Sequence, residues 1–152
     1  KTLPTGHFIP KYSSNSIWTT QIKMMRAVRI HAVGGPHVMR FETCPKPKAE
    51  PGKVLIKNTL TGVNYIDVYH RTGLYKVDFP FIPGRDGAGH VEEITPEDSK
   101  ILGINVGDRV AYGPFNSGSY AEYTTASINN VIKIPHGVSD AQAVGGMVQG
   151  LT

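Results

Sequence analysis

The sequence holds a single cysteine, Cys44. An internal disulfide is therefore excluded, and so is any multi-cysteine zinc site built from this chain. A lone thiol fits a reducing compartment. Long hydrophobic runs are missing too: no apolar stretch approaches the roughly 20 residues that a membrane-spanning helix needs, and no membrane partner is expected. Acidic residues are missing from the first 24 positions, which carry Lys1, Lys11 and Lys23. The net charge of +4 for the whole chain falls to +1 once those three lysines are set aside. That is too little for the electrostatic footprint of a phosphate backbone, so no nucleic-acid partner is expected. What remains is a chain of 152 residues, 39% hydrophobic and 18% charged, with the size and composition of one globular domain.

Residues 1–24 show no period of 2 or 3.6 and read as a disordered arm or a targeting remnant. Residues 25–31, the turn Gly34-Gly35-Pro36 and residues 38–43 predict a hairpin. Residues 45–52 form a proline-rich loop. Residues 53–63 alternate, with Val54, Ile56, Asn58, Leu60 and Gly62 on one side, and predict a long strand. Four more strands are predicted over residues 84–94, 105–112, 118–124 and 131–135. Ser139 and Gln142 have the spacing of a capping box, opening a helix from Ala141 to Thr152 that is expected to continue in a longer protein. Roughly seven strands against one clear helix start predict a mainly β fold, an antiparallel barrel or sandwich with short helices.

The chemistry concentrates in residues 62–75, where a strand gives way to a helix. Asn64 suits an N-cap, with Asp67 at the third helical position bonding back to the orphan amides. Asp67 and Arg71 lie four apart and can pair on a helix surface. Tyr69 and Tyr75 flank the Thr72-Gly73 turn; two phenols there offer flat apolar walls with polar tips for a planar ligand, or pack into the core. The run Gly84-Arg85-Asp86-Gly87-Ala88-Gly89 lacks the spacing of a dinucleotide-binding loop and reads as close backbone packing. His7, His31, His37, His70, His90 and His136 are scattered without the spacing of a metal site. No Ser/His/Asp arrangement stands out.

Several motifs in order resemble the medium-chain dehydrogenase/reductase superfamily, and within it the zinc-free quinone oxidoreductases of the zeta-crystallin-like branch. They are Met25-Arg26-Ala27 with Gly34-Gly35-Pro36, then Pro51-Gly52-Lys53-Val54-Leu55-Ile56. Next come Gly62-Val63-Asn64-Tyr65-Ile66-Asp67-Val68-Tyr69, Arg71-Thr72-Gly73-Leu74-Tyr75 and Phe81-Ile82-Pro83-Gly84. The last are Val106-Gly107-Asp108-Arg109-Val110, Gly118-Ser119-Tyr120-Ala121-Glu122-Tyr123 and Gln149-Gly150-Leu151-Thr152. The resemblance implies a GroES-like antiparallel β-barrel catalytic domain over residues 25–138. Residues 139–152 would then start the helix leading to a Rossmann domain that binds NADPH and that this chain lacks, so the fragment alone is expected to be inactive.

By similarity, Asn64, Asp67 and Thr152 surround the nicotinamide, and Tyr69 and Tyr75 line a slot for a quinone or another conjugated carbonyl. The expected reaction is direct hydride transfer from C4 of NADPH, with the proton from solvent or a tyrosine. Zinc is not expected. Where alcohol dehydrogenases carry Gly-His-Glu at the catalytic metal, this chain has Gly84-Arg85-Asp86, and their earlier metal-binding cysteine falls near Asn64. A guanidinium cannot ligate Zn²⁺. The alternatives are an enoyl or alkenal reductase on the same scaffold and a non-enzymatic β-barrel binding module. A cytoplasmic protein is expected, with an organellar location as the alternative if the arm is a transit peptide; the resemblance also allows a homodimeric parent.

Overall fold

A computed structural model describes residues 22–113 and 118–150. The expected arm, apart from its last three residues, and the expected cofactor contact Thr152 lie outside the described residues. Strands β1 (Met24–Ile30) and β2 (Met39–Pro45) form the predicted hairpin, in register from Met24 opposite Pro45 to Ile30 opposite Met39. A 3-10 turn at Pro36–Val38 precedes β2, with the fixed φ of Pro36 at its start. Strands β3 (Lys53–Thr61), β4 (Gly87–Glu93), β5 (Arg109–Tyr112), β6 (Tyr123–Ser127) and β7 (Val131–Lys133) build a second sheet in the order β6-β3-β4-β5-β7, every pair antiparallel. Isolated bridges from Ala27 to Ala121 and from Ile30 to Phe81 join the hairpin to neighbouring loops. The mainly β, antiparallel architecture predicted from the sequence is the one observed.

One core cluster lies on one face of the large sheet, and a smaller one of Ala88, Ala111, Ile134 and Val144 lies on the other. Val54, Ile56, Val91, Val110, Tyr112, Ala126 and Val131 are buried on the first face with Ile104. Burying such side chains contributes roughly 1.5–3 kcal/mol apiece. Asn58 extends this face as a polar hub: Tyr112 Oη donates to its Oδ1 at 2.8 Å, and its Nδ2 reaches Thr124 Oγ1 and the Ala121 carbonyl, each at 2.8 Å. Burial pushes the Tyr112 phenol well above its ordinary range, so it stays a hydrogen-bond donor.

Three expectations need correction. Residues 53–63 do not bury one alternating face, because Leu55 is as fully buried as Val54 and Ile56 while Leu60 is exposed. β3 is covered on both faces, with Val54 and Ile56 in the larger core cluster and the C-terminal helix packed on the other side, and its register against β4 shifts at Leu55/Ile56 and at Asn58/Leu60. The strand expected over residues 118–124 starts only at Tyr123. The preceding residues instead bond to β1, with the Val28 amide donating to the Tyr120 carbonyl at 2.8 Å and the Glu122 amide to the Arg26 carbonyl at 3.0 Å. The C-terminal helix spans Asp140–Met147, shorter than expected, with Gly145 and Gly146 weakening its last turn.

Of the helices α1 (Tyr65–Thr72), α2 (Pro96–Leu102) and α3 (Asp140–Met147), the second was not anticipated. Its signal is local. Thr95 is the N-cap and accepts from the Asp98 amide, Pro96 takes the first position, and Gly103 closes the helix in the left-handed region at φ 63°.

Candidate functional site

The junction between β3 and α1 is built around two buried carboxylates. Gly62 carries the chain out of β3, and a Cβ there would stand 2.8 Å from Asp86 Oδ2, so only glycine fits. Asn64 follows in extended backbone, φ −120° and ψ 149°, as the N-cap of α1. Asp67 returns its Oδ2 to the Asn64 backbone amide at 3.0 Å. The same Oδ2 accepts from Tyr120 Oη at 2.9 Å, and Oδ1 accepts from the Gly84 amide at 3.1 Å. Asp67 thus fastens the first turn of α1 to two segments distant in sequence.

The pairing of Asp67 with Arg71 that their spacing allows does not form. Asp67 turns inward to its three donors, and Arg71 Nη1 donates to the Gly34 carbonyl at 2.8 Å. Burial, helped by the Asp67 charge, raises the Tyr120 phenol far above its ordinary value, which keeps it protonated and donating.

The side chain of Asn64 is engaged on both sides. Its Nδ2 donates to Asp86 Oδ1 at 2.7 Å, and its Oδ1 accepts from Gln149 Nε2 at 3.0 Å. Asp86 is fully buried, its Oδ2 has no hydrogen bond among the described residues, and its backbone carbonyl accepts from the Gly62 amide at 3.1 Å and from Thr61 Oγ1 at 3.0 Å. Burial raises the Asp86 carboxyl above the usual carboxylate range; the Asn64 amide opposes this and the Asp67 charge adds to it.

A raised native value means that the folded state binds the extra proton. This group's contribution to stability is full below the ordinary carboxylate value and is lost as pH rises through the raised native one. Asp86→Asn removes it. We expect the difference in melting temperature, variant minus wild type, to increase from about pH 4 upward. Thermal melts of both proteins over that range check this, and a constant difference contradicts it.

Tyr65, Tyr69 and Tyr75 form an aromatic shelf on α1 and the turn after it. Tyr69 is half-buried at its centre, edge-to-face with Tyr65 at 5.3 Å and with Tyr75 at 5.4 Å between ring centroids. The Tyr69 hydroxyl has no hydrogen bond among the described residues, while Tyr65 and Tyr75 are exposed. Behind the shelf, buried His70 lies edge-on to Phe81 at 5.4 Å. Burial lowers its pKa, the Arg85 charge adds to that and Asp67 opposes it. A cavity of about 310 Å³ opens beside Tyr75, lined by Val33, His70, Gly73, Lys76 and Phe79.

The structure therefore brings Asn64 and Asp67 into one hydrogen-bonded junction and sets Tyr69, on the helix it starts, beside Tyr75 in the turn after that helix. Both of the former are buried and bonded within the chain, so they fix the loop more than they present free groups. Tyr120, Asp86 and Gln149 are partners of this junction that spacing did not reveal. They stand 53, 22 and 85 residues from their partners, and only their place within quoted motifs drew attention to them.

The glycine run behaves as read. Cβ atoms at Gly87 and Gly89 would strike the Tyr112 hydroxyl at 2.6 Å and the Lys57 carbonyl carbon at 2.8 Å. The donor set does not fit zinc: the positions corresponding to metal ligands hold the Asn64 amide, the Arg85 guanidinium and the Asp86 carboxylate, already bonded to Asn64. Among the described residues, no group of three or more His, Cys, Asp or Glu is placed to hold a metal ion.

The model of the alcohol dehydrogenase GroES-like domain matches residues 50–136. A quinone oxidoreductase of Pseudomonas aeruginosa is 34% identical over 132 residues, covering 85% of this chain and 39% of the relative. A probable quinone oxidoreductase of Schizosaccharomyces pombe is 39% identical over 126 residues, 82% of this chain and 37% of the relative. A mycobacterial protein solved in complex with NADPH superposes with a TM-score of 0.78 at 37% identity, over 84% of this chain and 39% of its own. The chain spans about two fifths of the length of these relatives.

Proposed function

This chain belongs to the alcohol dehydrogenase GroES-like domain family, and we propose that it is the N-terminal, substrate-side part of an NADPH-dependent quinone oxidoreductase that works without zinc. The observation that carries the proposal is the edge-to-face shelf of Tyr65, Tyr69 and Tyr75, set on α1 and the turn after it, with the N-cap residue Asn64 held by Asp67 and Asp86. When bound, NADPH supplies the hydride. Asn64 and Thr152 would border the nicotinamide, and Asp67 holds Asn64 in place. Tyr69 and Tyr75 present ring faces against which a flat quinone stacks, and the Tyr69 hydroxyl donates to a carbonyl oxygen of the acceptor.

Orientation comes from these side chains alone, because an amide, a guanidinium and one engaged carboxylate are no set of metal ligands. An enal or enoyl acceptor offers the same flat conjugated carbonyl, so acceptor identity rests with the assay.

The test uses the full-length protein with ortho- and para-quinones and enals. We expect NADPH oxidation with quinones, and Tyr69→Phe to lower kcat roughly tenfold, as loss of a hydrogen bond to developing charge does, with NADPH affinity nearly unchanged. Intact NADPH binding without turnover of any acceptor would eliminate the enzyme reading and favour a binding module. Unchanged turnover in Tyr69→Phe with altered NADPH affinity would reassign Tyr69.

A further inference from the structure

We propose that Asp86 is a positioning residue that sets the orientation of the Asn64 amide and so presents the Asn64 carbonyl to Gln149, tying the start of α1 to the segment after α3. An asparagine amide can sit either way round, and its partners decide. Asp86 Oδ1 stands 2.7 Å from Asn64 Nδ2 and accepts whether the carboxyl is ionised or protonated, since a proton would reside on the other oxygen. That leaves Asn64 Oδ1 as the acceptor for Gln149 Nε2 at 3.0 Å, while the same Nε2 reaches the Val63 carbonyl at 3.3 Å.

The seat for the carboxyl is built into the fold. Asp86 is 0% exposed, Cβ atoms at Gly62 and Gly113 would come within 2.8 Å of it, and its carbonyl is bonded to Gly62 and Thr61. A packed seat of this kind holds the carboxyl in place, and a fixed acceptor fixes its donor. The consequence for turnover rests on the function proposed above: the amide so fixed is the one placed beside the nicotinamide.

The test is Asp86→Asn in the full-length protein. The substitution keeps the shape and adds a donor that can point at Asn64, so the orientation of Asn64 is no longer imposed. Two readouts are followed: the side-chain amide resonances of isotope-labelled Asn64, and a double-mutant cycle of kcat with Asn64→Ala.

We expect the Asn64 amide signals to move and to exchange with solvent about tenfold faster, and kcat to fall about tenfold, the scale of one hydrogen bond to a charged group. In the Asn64→Ala background Asp86→Asn should cost nothing more, because Asp86 acts through Asn64. A merely structural role would lower kcat by the same factor in both backgrounds, and that result overturns the proposal. Asn64 signals unmoved by Asp86→Asn overturn it as well, whatever the protein reduces. Signals that move as stated in a protein that turns over no acceptor leave the relay standing and remove the functional reading instead.

Discussion

Replacing Asp67 by alanine is expected to destabilise the protein by about 4 kcal/mol. The carboxylate is buried and accepts from three donors of different origin: the Asn64 amide at 3.0 Å, the Gly84 amide at 3.1 Å and Tyr120 Oη at 2.9 Å. Each buried donor left without an acceptor costs about 1–3 kcal/mol. Tyr120 is half-buried, so water compensates part of its loss, whereas the two backbone amides are held by the loops that carry them. For a domain of this size, 4 kcal/mol lowers the melting temperature by roughly 13 °C.

Asp67→Asn separates the contributions. One oxygen remains to accept, while the new amide group meets donors where it needs acceptors, so about half the loss should persist. Urea and thermal unfolding of the two variants measure this. A loss below about 1 kcal/mol for Asp67→Ala would mean that the three donors find other partners and that α1 is not fastened through Asp67. Turnover should vanish with Asp67→Ala even well below the melting point. The Asn64 backbone amide loses its acceptor, and the loop that carries the Asn64 side chain is released.

The contrast between Asp67 and Arg71 shows where a sequence speaks for itself and where it stops. The cap at Asn64, the reach of Asp67 back to it and the turn at Gly73 are local and follow from spacing of three or four residues. The hairpin of β1 and β2 was legible for the same reason, since its pairing partners are joined by one short turn. The inward turn of Asp67 was not legible, because it is decided by Gly84 and Tyr120, which the topology alone brings near.

β3 teaches the same lesson at the level of a strand. Its alternation was real in composition, but the cover on both sides of Val54, Leu55 and Ile56 comes from the strands and helix around it. Helix α2 differs, because Thr95, Pro96 and Gly103 spell its start and stop in the local code. At the site, the departure from the Gly-His-Glu of alcohol dehydrogenases was visible in Gly84-Arg85-Asp86. The bond from Asn64 to Asp86 needs β3 and β4 paired, so only the folded chain reveals it.

Gly89→Ala should carry that pairing into function. Gly89 sits in β4 opposite Asn58 of β3 and Val110 of β5, and its φ is not in the left-handed region, so alanine meets no backbone strain of its own. The obstacle is space. The added Cβ would stand 2.8 Å from the Lys57 carbonyl carbon and 3.0 Å from Asn58 Cα, with the Lys57 carbonyl oxygen closer still. All three are backbone atoms of a central strand and cannot rotate away, so β3 and β4 must part.

Overpacking of this kind costs about 3 kcal/mol, or roughly 10 °C in melting temperature. The damage should not stay local. β3 leads directly into Asn64 and β4 follows directly on Asp86, so parting the two strands draws the Asn64 amide away from its carboxyl. Gly145→Ala is the matched control, because no atom lies within 4 Å of its added Cβ and the site is an exposed turn of α3. There the same methyl group should stabilise by about 0.5–1 kcal/mol through helix propensity. Thermal melts of the two variants should therefore move in opposite directions. If Gly89→Ala melts within a degree or two of the wild type, the strands tolerate a Cβ between them, and the glycine in β4 is not there for close backbone packing.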